Sequence, residues 1–186
     1  ENGNIPIAYY WVRTAKCSNP SCGAEVPLMK SFYLANTPKK KVYLKPIING
    51  TNIEFQLAEG KCDVESWNHR GNMTCPCCGN VTNVNQIKEQ ARNKQIKSRL
   101  LAIINDSETG KEYKLPTNIL KSLLAKGVPH VERPQENLPI GYNQAFPVCQ
   151  WGFSHWGEIF SDRQIFMLDT WLKNFKKISN IIGSNE

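Results

Sequence analysis

Hydrophobic and polar positions change period several times along this chain, and each change marks an element. Ile7-Ala-Tyr-Tyr-Trp-Val-Arg-Thr-Ala15 is aromatic and β-branched, which predicts a strand. After a short polar loop, Glu25 to Leu34 resumes extended structure. The plainest hairpin signal comes next, with Val42–Ile48 and Ile53–Leu57 flanking Asn49-Gly50. Ile53, Phe55 and Leu57 alternate with Glu54 and Gln56, so this strand has one buried face. Asn-Gly predicts a type I′ turn, whose two central residues both need φ > 0. Pro46 has no N–H to give a ladder, which assigns its strand to an edge or a bulge.

A polar loop from Glu59 to Met73 carries Gly60, Cys62, Trp67, His69 and Gly71. Beyond it the period becomes helical: Val84, Ile87 and Ala91 share a face, with Lys88, Glu89 and Arg92 off it. Leu100–Ile104 is a compact apolar run that predicts a buried strand, and Thr109-Gly110 turns it into Glu112–Leu115 as a second hairpin. Asn118 is placed to cap a helix over Ile119–Lys126, which Gly127 and Pro129 stop. Residues 127–141 are rich in Pro and Gly and read as a connection. Ser161-Asp-Arg-Gln164 then has the form of a capping box. The helix it starts carries Ile165, Leu168, Leu172, Phe175 and Ile182 on one stripe, with Lys173, Lys176 and Lys177 off it, and such a stripe needs a partner surface. These elements predict an α+β fold: a mostly antiparallel β module with hairpins over 1–115, a short helix and connection over 116–158, and a C-terminal amphipathic helix over 159–186.

Composition narrows the class. A chain of 186 residues that is 40% hydrophobic and 21% charged suits one ordinary core or a small domain with appendages. No apolar run approaches the ~20 residues that cross a bilayer, and Glu1-Asn-Gly-Asn4 has no signal-peptide character, so no membrane partner is expected. Beginning without Met and ending in Gly183-Ser-Asn-Glu186, the chain is expected to be a piece of something longer. The net charge of +7, from 23 Lys+Arg against 16 Asp+Glu, favours a polyanionic partner. Two concentrations carry it: Lys39, Lys40, Lys41 and Lys45, then Lys88, Arg92, Lys94, Lys97 and Arg99. A solvated surface and nucleic-acid contact are the competing readings of both.

The cysteines change the picture most. Cys17-x4-Cys22 and Cys75-x2-Cys78 are each followed at once by glycine, Gly23 and Gly79. A knuckle must fold tightly enough to aim backbone N–H groups at its sulfurs, and glycine tolerates the φ > 0 that this needs. Four thiolates give the closed tetrahedral set of a structural Zn²⁺, here stapling the 52 residues between the pairs. Cys77 is a competing ligand with poorer spacing, and Cys62 and His69 are weaker candidates. Clustering of four among seven cysteines favours metal over disulfides, hence a reducing, cytoplasmic setting with Cys62, Cys77 and Cys149 as free thiols.

Rival chemistries fit less well. His130-Val-Glu132 matches the H-x-E of nucleobase deaminases, but no P-C-x-x-C follows it. A redox Cys75-x2-Cys78 leaves the other pair unexplained. No nucleotide-binding glycine loop, nucleophile elbow or zincin motif occurs, and the three histidines lie on separate segments. Trp151, Phe153, His155 and Trp156 suit anchors of a packed loop better than base-stacking groups.

Taken together, Tyr9-Tyr-Trp-Val-Arg-Thr-Ala-Lys-Cys17-x4-Cys22-Gly-Ala-Glu-Val-Pro-Leu28, Cys75-Pro-Cys-Cys78-Gly79 and Trp156-Gly-Glu-Ile-Phe-Ser-Asp-Arg-Gln164 resemble the central part of the adenine-specific DNA methylases that contain a zinc ribbon. The resemblance covers nearly the whole chain. It implies a prokaryotic, cytoplasmic parent enzyme that uses S-adenosylmethionine to methylate the exocyclic amine of adenine in DNA. Its partners would be the remainder of that methyltransferase and DNA, and its own cofactor a structural zinc on Cys17, Cys22, Cys75 and Cys78. The chain has neither the [DN]-P-P-[YFW] segment nor the F-x-G-x-G loop of such enzymes, so no catalytic residue carries over. The expected role is structural, with DNA contact through Lys39, Lys40, Lys41, Lys45, Lys88, Arg92 and Lys97. The alternative is a zinc-stabilised interaction module with no nucleic-acid role.

Overall fold

The computed structural model describes residues 5–108, 110–139 and 147–183, with side chains to residue 180. The chain divides into two compact units, 1–117 and 118–186. It is mixed α+β, and its strands all pair antiparallel.

The first unit contains β1 (Pro6–Lys16), β2 (Glu25–Pro27), β3 (Tyr33–Asn36), β4 (Lys41–Asn49), β5 (Asn52–Glu59), β6 (Asn68–His69), β7 (Asn72–Thr74), β8 (Val81–Thr82), α1 (Val84–Arg92), β9 (Lys97–Ser107) and β10 (Gly110–Lys114). They form three sheets, ordered β10-β9-β1-β2, β3-β4-β5 and β6-β7-β8. The β9–β10 hairpin follows the apolar run at 100–104 as expected, while Thr109 in its predicted turn lies outside the described residues. Phe32, Leu44, Ile53, Phe55, Trp67 and Met73 are among the large buried side chains of this unit's core. Trp67, in the stretch read as a polar loop, packs edge-on against Phe32 at 4.9 Å between centroids and lies 6.2 Å from Phe55.

Two turns differ from expectation. Asn49 pairs with Asn52, so the two-residue loop of the β4–β5 hairpin is Gly50-Thr51 and not Asn49-Gly50. Only Gly50, at φ +60°, is left-handed there, the pattern of a type II′ turn with glycine first. Two positive-φ residues do occur in succession at Arg70-Gly71, which close β6 onto β7. Pro46 lies in the middle strand of its sheet yet breaks no ladder. Leu44 N–H donates to Phe32 O, so the nitrogen two residues on faces the same flank, past the point where β3 ends.

The second concentration of cations, Lys88 to Arg99, spans two elements. Asn83 and Gln86 cap α1 reciprocally, a capping box that the sequence reading missed. The helix closes at Asn93 with Lys94 left-handed at φ +56°, Gln95 N–H bonded to Gln90 O and Lys94 N–H to Ala91 O. That is a Schellman ending with lysine where glycine is usual. Lys97 and Arg99 therefore belong to β9.

In the second unit, α2 (Asn118–Ala125) starts one residue before its expected first turn and buries none of its residues, and α3 spans Asp162–Gly183. Two 3₁₀ turns, Pro147–Trp151 and Trp156–Ile159, lie between them. The described part of the 127–141 connection is not a free linker. Leu138 N–H donates to Ser154 O, Trp156 N–H to Glu136 O and Gly157 N–H to Pro134 O. A Cβ on Gly157 would come within 2.6 Å of Pro134 O, which is why glycine stands there. Arg133 clamps the return: its guanidinium donates to Gly157 O, Phe160 O and Asp162. The Ser161–Gln164 capping box forms as expected, with Ser161 N–H to Gln164 Oε1 at 2.8 Å. Of the α3 stripe only Ile165 is buried; Leu168, Leu172 and Phe175 are exposed beside Trp171 and Ile178, and the Ile182 side chain lies outside the described residues.

Candidate metal centre

Each cysteine pair is the turn of its own hairpin. β1 and β2 end their ladder at Lys16–Glu25, after which Cys17 N–H bonds Ala24 O at 2.9 Å. β7 and β8 end at Thr74–Val81, after which Cys75 N–H bonds Asn80 O at 2.9 Å. Inside the first turn Cys22 and Gly23 N–H both reach Asn19 O, and inside the second Gly79 N–H reaches Cys75 O. Gly23 and Gly79 lie at φ +58° and +74°, the left-handed geometry that their position after each pair required.

The two turns face one another. Cys17, Cys22, Cys75 and Cys78 bring their sulfurs within 4.8 Å of each other, with Cys17–Cys78 at 3.6 Å and Cys22–Cys75 at 3.8 Å. Four sulfurs at a Zn–S bond of about 2.3 Å around one centre are separated by roughly 3.8 Å along each tetrahedral edge. The donor set therefore fits a single tetrahedral metal ion. Cys77 is half-buried beside this cluster and is not one of the four.

Backbone N–H groups serve the sulfurs as the glycine positions suggested. Asn19 N–H points at Cys17, those of Cys77 and Cys78 at Cys75, and that of Asn80 at Cys78. The amide of Asn80 lowers the exposed Cys78 thiol to about 7. Burial pushes Cys17 up and Cys75 well up. Burial also raises Cys77. Hydrogen bonding thus favours the thiolate at the rim of the cluster, and burial favours the thiols in its interior.

Side chains lock the hairpins together. Asn80 Nδ2 donates to Ser18 Oγ at 2.8 Å, and fully buried Thr82 accepts from Ser18 N–H at 3.0 Å. Gln90 of α1 bonds both backbone groups of Lys16, its Oε1 to the N–H at 2.8 Å and its Nε2 to the carbonyl at 2.9 Å. Asn72 Oδ1 accepts from Val84 N–H at 2.9 Å. Ile87, on the buried face of α1, is fully enclosed. The 17–22 turn, the 75–78 turn and α1 therefore support one another even apart from a metal.

The expected cationic contacts separate into two groups. Lys40 Nζ donates to Lys111 O on the β10 edge and lies over the Tyr113 ring at 5.3 Å. Lys97 pairs with Glu25, and Arg99 with Glu54 and the carbonyl of Ile53 on β5. These three occupy edge carbonyls or carboxylates within the fold. Lys39, Lys41, Lys45 and Arg92 are exposed and Lys88 is half-buried. Elsewhere, Cys62 N–H bonds the Tyr33 hydroxyl, His69 is exposed, and Trp151, Phe153 and His155 are half-buried in the second unit.

The fold and the cluster define an α+β protein with a four-cysteine site able to hold a metal ion. Among its described residues, no helix is long and apolar enough to cross a membrane. Comparison with family models, with curated proteins and with solved structures gives no match.

Proposed function

We propose that this chain is a zinc-stapled accessory module of a DNA-modifying enzyme, an adenine methyltransferase, in which it supplies structure and duplex contact and not catalysis. The observation that carries the zinc is the convergence of four sulfurs, 53 or more residues apart across the two turns, within 4.8 Å. Bound there, Zn²⁺ would fix two hairpins that otherwise meet through a few hydrogen bonds, and such sites contribute ~10–16 kcal/mol of apparent binding free energy in small peptides. Charge supports the nucleic-acid part. Residues 1–117 hold 16 Lys+Arg against 10 Asp+Glu, so six of the seven net positive charges lie in the cysteine-bearing unit.

The test is metal content followed by DNA titration. Purified chain should contain one zinc per molecule and bind duplex DNA with an affinity that falls steeply with salt. Replacing Lys39, Lys41 and Lys45 by Gln should reduce the salt slope by about 2.7, at roughly 0.9 for each phosphate no longer neutralised. A chain that folds without metal and is indifferent to chelator would remove the zinc. One that ignores DNA even at low salt would remove the DNA role. The second reading, an interaction module with no nucleic-acid role, is favoured by exposed Trp171, Leu172, Phe175 and Ile178 on α3. It would be supported by a protein partner whose binding Phe175→Lys abolishes.

A further inference from the structure

The outer face of the four-stranded sheet carries a row of aromatic rings that ends on a cation. Ile7, Tyr9, Trp11 and Arg13 alternate along β1 and are all exposed, Tyr9 by 52% and Trp11 by 39%. Their neighbours across the ladder are Ile103 beside Tyr9, Leu100 beside Trp11 and Ser98 beside Arg13, and Lys114 of β10 stands beside Ile103. The opposite face is the covered one. Val12 pairs with Arg99, whose guanidinium reaches Ile53 O and Glu54 of β5. The flank is open as well, because β2 pairs with Thr14–Lys16 and Leu28 N–H takes the carbonyl of Arg13, leaving the stretch from Pro6 to Val12 as an edge.

Charge selects the occupant. β1 contains no acidic residue, and β9 only Asp106 at its far end. On the outer face of β10, Glu112 is ion-paired with Lys114 at 3.1 Å. Two rings two residues apart stand about 6.7 Å from each other along a strand. Every nucleobase offers a π-face to such rings, and Arg13, beyond the Trp11 end, can meet a backbone phosphate.

We propose that this face binds single-stranded nucleic acid: Tyr9 and Trp11 stack successive unpaired bases while Arg13 engages a phosphate. The proposal rests on the nucleic-acid reading above and names the form of strand that the module holds, one already opened from its duplex.

The experiment uses the full zinc-loaded chain and a fluorescein-labelled oligothymidylate of about twelve nucleotides, within the range of known single-strand sites. Anisotropy should report binding that Tyr9→Ala and Trp11→Ala each weaken by about five- to 150-fold, the worth of one stacked base. Tyr9→Phe and Trp11→Phe should keep it, with zinc content and circular dichroism unchanged throughout. If the alanine variants bind as tightly as the parent, or the chain binds duplex but no single strand, the stacking face is overturned while the DNA reading stands. If neither form of DNA binds, both fall. If instead the chain self-associates in sedimentation and Trp11→Ala abolishes that without any oligonucleotide binding, the face belongs to a second copy and the proposal is overturned.

Discussion

The two units solve the same problem by different means. Both are rich in loops, and neither has long, fully covered elements. The first unit encloses a cluster of large side chains, Phe32, Leu44, Ile53, Trp67, Met73 and Ile87, and adds four sulfurs poised for one metal. Among its described residues the second buries only Leu138, Gly157 and Ile165, and it relies on backbone carbonyls caught by Arg133. A core plus metal is cooperative, because each buried group is held in place by the others. A guanidinium clamp is local, and its removal frees one turn.

Breaking the metal should separate the units most sharply. Cys75→Ser, at the buried centre of the cluster, should abolish stoichiometric zinc and remove most of the ~10–16 kcal/mol that such an ion contributes. Hydrogen exchange should then show 5–108 losing protection while α3 is unchanged. Truncating the aromatic cluster should be next: Trp67→Ala should cost about 3–5 kcal/mol in denaturant melts of the zinc form, with no effect on the second unit.

Acidity should act with opposite signs on the metal-bound and metal-free first unit. Cys17 and Cys75 are pushed up by burial, so binding must expel at least their two protons at neutral pH. Zinc affinity should therefore rise at least about a hundredfold per pH unit near pH 7, roughly 2.7 kcal/mol or more, in competition titrations with a chelator of known pH dependence. Without metal the sign reverses. A thiol raised in the fold stabilises it fully below its unfolded value, near 9.0, and that stability drains away as pH climbs through the folded value.

The clamp offers the smaller effects. Arg133→Ala leaves the carbonyls of Gly157 and Phe160 without their donor and should cost about 1.5–3 kcal/mol, read as diminished exchange protection near 154–160 alone. Last, Lys94→Gly relieves a left-handed lysine at the end of α1 and should raise the melting free energy of the first unit by about 1 kcal/mol.

How much of this was legible follows from how local each signal is. Strand alternation at Ile53, Phe55 and Leu57, the capping box at Ser161–Gln164 and the glycines after each cysteine pair are written in neighbouring residues, and the structure keeps them. The hairpin turn slipped by one residue because register is set by pairing along the whole of β4 and β5, not by the most turn-like dipeptide. Trp67 was hidden for a similar reason: its polar neighbours say loop, and only Phe32 and Phe55, drawn from elsewhere in the chain, make it core. The 127–141 connection looked free because single hydrogen bonds to a distant segment leave no period in the sequence.

The sequence by itself determined the kinds of elements, the mixed α+β class and the four cysteines with glycine after each pair, since residue type and spacing act over a few bonds. Tertiary structure alone decided which cations cap carbonyls of other strands and that two aromatic rings of the first strand stand exposed. Those outcomes depend on groups tens of residues apart meeting in space, where burial and hydrogen bonding are shared among elements that no local stretch of chain can encode.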